Sequence, residues 1–71
     1  MIIEVYSTGK GAYKVVSGTI EKDSEHAVRS WIDTYNEYYT SDFKLDRIDK
    51  GEYLMLDSED NRQYLIKVTG E

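Results

Sequence analysis

The stretch Ser24-Glu25-His26-Ala27-Val28-Arg29-Ser30-Trp31-Ile32-Asp33-Thr34-Tyr35-Asn36-Glu37-Tyr38-Tyr39 decides the fold, because its apolar residues recur at helical and not at strand spacing. Val28, Trp31, Ile32, Tyr35 and Tyr39 fall at i, i+3, i+4, i+7 and i+11, which gathers them into one stripe expected to face a core. Arg29, Ser30, Asp33, Thr34, Asn36 and Glu37 take the other side. Asp23 or Ser24 suits the N-cap, and Glu25 suits the positive end of the helix dipole.

On either side of this helix the period falls to two. Downstream, residues 43–48 alternate, and Asp49-Lys50-Gly51 forms a turn in which Gly51 fits a left-handed position. Residues 52–56 make the next strand and Ser58-Glu59-Asp60-Asn61 the next turn. Residues 63–68 close the series, with Tyr64, Ile66 and Val68 on one face and Leu65 on the other. Upstream, the β-branched and aromatic runs 2–6 and 13–20 flank a loop containing Gly9 and Gly11, which reads as a hairpin. Val15, Val16 and Ile20 cannot share a face at period two, and Gly18 is the expected place for a bulge. Thr69-Gly70-Glu71 offers nothing to pack.

The order is therefore ββαβββ, an α+β fold in which one amphipathic helix packs on a mostly antiparallel sheet. The first two strands pair as a hairpin and the last three as a meander. A chain of 71 residues holds one hydrophobic core, so residues 1–71 form a single domain.

Composition narrows the chemistry. The absence of cysteine excludes disulfides and thiolate metal sites, suits a reducing compartment, and leads to the expectation of a cytoplasmic protein without a secretory signal. Nine Lys and Arg against fourteen Asp and Glu give a net charge of −5, which opposes approach to nucleic-acid phosphates and to anionic membranes and favours a basic partner.

No catalytic constellation can be assembled. His26 is the single histidine and stands in the first helical turn, so a metal cage or a nucleophile–base pair has little to draw on. Gly9-Lys10-Gly11 lacks the spacing, the hydroxyl residue and the following helix of a phosphate-binding loop. Asp57-Ser58-Glu59-Asp60-Asn61 begins like a calcium loop, but Arg62 and Val68 occupy positions that need Gly and Glu. Carboxylate pairs such as Asp33 with Glu37 or Asp46 with Asp49 carry no sign of an apolar pocket to raise a pKa. Catalytic residues, metal ligands and cofactors are all expected to be none.

Aromatic content is the unusual feature, with seven Tyr, one Trp and one Phe. Tyrosine is amphipathic and enriched at interfaces; Tyr38, off the stripe, and Tyr6, Tyr13 and Tyr53 on the strands are the expected contact residues. Two readings of function follow. In the first, the chain is a non-catalytic protein-binding module, regulatory or inhibitory, that meets a basic protein partner through Asp33, Glu37, Tyr38, Tyr53, Asp57, Glu59 and Asp60. A sharper form is a nucleic-acid mimic of the phage or mobile-element type, in which these carboxylates with Asp42 and Asp46 imitate phosphates. In the second, the chain is a structural homo-oligomer, such as a homodimer. It would pair edge strands or bury an outer sheet face, since Tyr53 and Met55 point one way in the fourth strand while Leu54 and Leu56 point the other.

Overall fold

The computed structural model describes residues 1–70 and contains β1 (Ile2–Ser7), β2 (Lys14–Thr19), α1 (Glu25–Tyr39), β3 (Lys44–Asp49), β4 (Glu52–Leu56) and β5 (Arg62–Thr69). All strand pairs are antiparallel, in the order β2-β1-β5-β4-β3. The hairpin and the meander are thus joined edge to edge by β1 and β5, with Ile3 opposite Val68 and Val5 opposite Ile66. Glu71 lies outside the described residues. Thr69, expected to be unpacked, instead pairs with Ile2 and ends β5.

α1 begins at Ser24, which has extended backbone and accepts a hydrogen bond on Oγ from the Ala27 N–H at 3.1 Å. It ends at Thr40, which adopts the left-handed conformation and donates its N–H to the Asn36 carbonyl. Below the helix lies the core: Ile3, Val5, Val28, Ile32, Tyr53, Met55, Ile66 and Val68, with Trp31, Tyr35, Phe43, Leu45 and Tyr64 packed at its margin. Of the expected helical stripe, Val28 and Ile32 are buried and Trp31 and Tyr35 half-buried. Tyr39 departs from it: it is 57% exposed, and its ring lies against Tyr35, 4.6 Å between centroids.

Three irregularities set the side-chain directions. Val5 pairs with Val16 and Tyr6 with Lys14, so Val15 is the extra residue of a bulge in β2. Gly18, where the bulge was expected, pairs regularly with Ile3 and serves instead to admit the Trp31 ring. Ile48 and Gln63 are the extra residues in β3 and β5. At the β3–β4 turn Gly51 has φ +70°, and a side-chain carbon there would stand 2.7 Å from the Val68 carbonyl oxygen, so conformation and space both require glycine.

Candidate functional site

The sheet exposes two edges, and they differ in kind. β3 carries Lys44, Asp46, Arg47 and Asp49 along its length and is broken by the Ile48 bulge, the pattern by which natural sheets guard an edge. β2 reads Lys14-Val15-Val16-Ser17-Gly18-Thr19, with no charge beyond Lys14, which is held at 3.2 Å by Glu4. The Val15 bulge interrupts its pairing with β1.

Hydrogen-bond parity shows which β2 peptide groups face outward. The Met1 ammonium donates to the Ile20 carbonyl at 2.8 Å, and the Ile20 N–H donates to the Met1 carbonyl at 3.0 Å. In an antiparallel pair such exchange recurs at every second residue, so Gly18 and Val16 bond to β1. Ser17 and Thr19 therefore turn their N–H and C=O groups away from the sheet.

Beside this edge runs the flank of α1. Trp31 lies over Gly18, and the groove between helix and strand has two hollows that meet at Trp31 and Thr34. The first, of about 230 Å³, is walled by Val16, Trp31, Tyr35, Tyr38 and Tyr39. The second, of about 420 Å³, lies toward Ile20, Lys22, His26 and Ser30. The aromatic rings form a connected set: Trp31 to Tyr35 at 5.8 Å, Tyr38 to Tyr39 at 4.9 Å, Tyr35 to Phe43 at 6.2 Å and Phe43 to Tyr64 at 5.6 Å. Burial, then the hydroxyls of Tyr64 and Tyr39, push the Tyr35 hydroxyl above its ordinary pKa. Tyr38 is 79% exposed.

Asp33 and Glu37 lie three residues beyond Ser30 and Thr34, which line the groove, so they neighbour those residues on the helix surface, although neither lines a hollow itself. Both are exposed, and among the described residues neither has an ion-pair partner. Arg29, one turn before Asp33, is committed to Glu25 at 3.5 Å.

The remaining sequence-derived contact residues fall elsewhere. Tyr53 is fully buried, a correction: parity turns it toward α1, where its hydroxyl donates to Asp23 Oδ1 at 2.7 Å. Burial, then the bond to Asp23, raise its pKa to about 12. Arg47 stands over the Tyr53 ring at 5.8 Å and reaches Asp23 at 4.0 Å. Leu54, on the opposite face, is only 8% exposed and lies in the floor of a hollow with Ile48 and Leu65.

Asp57 is spent on its own turn. Its Oδ1 accepts from the N–H groups of Glu59 and Asn61, both at 2.9 Å, and its Oδ2 from the side-chain amides of Asn61 and Gln63. Those donors, the Asn61 N–H foremost, hold its carboxyl below the usual range. Asp60 Oδ1 is paired with Lys44 at 2.6 Å, which leaves Glu59 as the unengaged carboxylate of that turn. Asp46 pairs with Leu54 on the sheet face away from the helix, so it shares no surface with Asp33 and Glu37. Among the described residues, no three His, Asp or Glu side chains are placed to hold a metal ion.

Sequence reasoning named Tyr38, Asp33 and Glu37, which the structure leaves exposed on α1, but it missed the β2 edge and the part of Gly18, which depend on sheet order. No family model, no curated protein and no solved structure matches this chain. Among the described residues, no helix is long and apolar enough to cross a membrane.

Proposed function

We propose that the chain is a small non-catalytic protein-binding module, regulatory or inhibitory in role, that attaches to a basic partner surface through the flank of α1. The observation that carries this reading is the exposed pair Tyr38 and Tyr39 on the same helix as Asp33 and Glu37, two exposed carboxylates with no ion-pair partner among the described residues. Exposed tyrosines supply contact area at low entropic cost, and uncompensated charge steers the encounter. A cytoplasmic setting accords with the lack of cysteine, and an inhibitor of the phage or mobile-element type accords with the size and the charge of −5.

A second reading, self-assembly, draws on the other face of the sheet. There Ile48, Leu54, Leu65 and Ala12 line a groove of about 730 Å³, and Ile48 is 47% exposed. Both readings are tested by capture from lysate with the wild-type chain and with the Asp33→Asn, Glu37→Gln, Tyr38→Ala triple variant, at low and moderate salt, alongside light scattering. A partner held by the wild type, weakened by salt and lost with the variant supports the binding module. A partner held equally by both sinks it. A stable dimer with no partner supports self-assembly.

A further inference from the structure

We infer that the partner is taken up as an added strand: an extended segment of another protein pairs with the open edge of β2 and sends alternate side chains into the groove against α1. This rests on the binding-module reading and specifies its mode.

Three observations converge on it. Ser17 and Thr19 present unpaired peptide groups along an edge that lacks the charges guarding β3. Strand addition satisfies such groups by main-chain hydrogen bonds and leaves side-chain pockets to give specificity. The two hollows lie on the helix side of this same edge and follow one another along it, meeting at Trp31 and Thr34. Side chains two residues apart on a strand lie on one face about 7 Å from each other, so successive inward side chains of one segment reach successive hollows. Finally, Asp33 and Glu37, one turn beyond the groove-lining Ser30 and Thr34, have no ion-pair partner among the described residues, while Arg29 and Lys14 are paired with Glu25 and Glu4 and Lys22 of the second hollow stands beside Glu21.

The chemistry of the segment follows. The hollow walled by Val16, Trp31, Tyr35, Tyr38 and Tyr39 takes an apolar or aromatic side chain. The next inward position takes Arg or Lys, whose long side chain reaches the Asp33 and Glu37 carboxylates across the exposed Ser30 and Thr34 side of the helix. A second copy of this chain fits less well. Its own β2 has one cation, already paired, and its net charge of −5 repels an identical copy.

The test uses the isotope-labelled full chain and a capped octapeptide with threonine at every second position and phenylalanine and arginine alternating between. Two control peptides replace arginine by glutamate, or threonine by proline, which has no N–H to donate. With the first peptide, we expect saturable shifts at Val16, Gly18 and Trp31 and amide exchange slowed about tenfold or more at Ser17 and Thr19. The glutamate peptide and the Asp33→Asn, Glu37→Gln variant should each bind about tenfold more weakly, and the proline peptide should not protect the two amides.

Binding that follows charge but leaves Ser17 and Thr19 exchanging freely overturns strand addition while leaving the acidic flank as a partner site. No binding of the first peptide at millimolar concentration overturns both. Protection of the same amides without peptide, rising with protein concentration and accompanied by a doubled mass, makes a second copy the occupant and overturns the inference.

Discussion

The Trp31 indole rests on the backbone of Gly18: a methyl group at Gly18 would stand 2.8 Å from Trp31 Nε1 and 3.4 Å from Cε2. The contact joins α1 to the outermost strand of the sheet and so fixes the floor of the groove between them.

Gly18→Ala should therefore destabilise the protein, although alanine is ordinarily the better residue in a strand. The rigid indole must tilt outward or β2 must shift, at a cost of about 1 to 3 kcal/mol, which lowers the melting temperature by several degrees in a domain of this size. A double-mutant cycle with Trp31→Leu should return a coupling of about 0.5 kcal/mol or more, because the shorter side chain vacates the space. Additive effects in denaturant titrations would show that the two residues do not constrain one another.

Tyr53 and Asp23 make a second such pair, and its response to pH has a definite sign. The folded state holds the Tyr53 proton to about pH 12, whereas an unfolded tyrosine releases it near 10. The pair's contribution is thus fully present below about pH 10 and lost as pH rises through about 12. Tyr53→Phe removes both the hydrogen bond and the titration. It should cost about 1.5 to 3 kcal/mol at neutral pH, the range for a bond to a charged acceptor. The gap between wild type and variant should then close between about pH 10 and 12 in denaturant titrations. A gap constant across that interval would separate the hydroxyl's titration from stability.

What was legible in the chain was local. Val28, Trp31 and Ile32 announce a helix by spacing, and Gly51 announces a turn because few other residues accept its φ. What was not legible depends on long-range placement. The pairing of β1 with β5 has no periodic signature, and without it β2 cannot be recognised as an edge. Gly18 is ambiguous in sequence between a bulge and a close approach; the true bulge, at Val15, carries no glycine to mark it. Tyr53 and Leu54 were correctly placed on opposite faces, but both faces of β4 are apolar, so parity alone did not say which met the helix. The ion pair of Lys44 with Asp60, sixteen residues apart, likewise appears only once the meander is folded.

At the far end of α1 the chain stores strain that a single substitution should release. Thr40 has φ 54° and ψ 45°, a conformation that a β-branched residue adopts at a cost. Its surroundings impose it. The N–H groups of Thr40 and Ser41 both donate to the Asn36 carbonyl, and Asn36 Oδ1 accepts from Ser41 Oγ at 3.0 Å and from the Phe43 N–H at 3.1 Å. Asn36 Nδ2 also donates to the Phe43 carbonyl at 3.1 Å, so one side chain stitches the helix end to the start of β3. Thr40→Gly removes the strain and should raise stability by about 0.5 to 1 kcal/mol, after allowance for the greater freedom of glycine in the unfolded chain. Asn36→Ala should act in the opposite sense, by about 1 to 3 kcal/mol, because it strands the Phe43 peptide groups. With the side-chain stitch gone, only the two N–H bonds to the carbonyl of residue 36 hold residue 40 in the left-handed region, and the gain from Thr40→Gly in that background should shrink. Four melting curves decide it: an undiminished gain would place the source of the Thr40 conformation elsewhere than in Asn36.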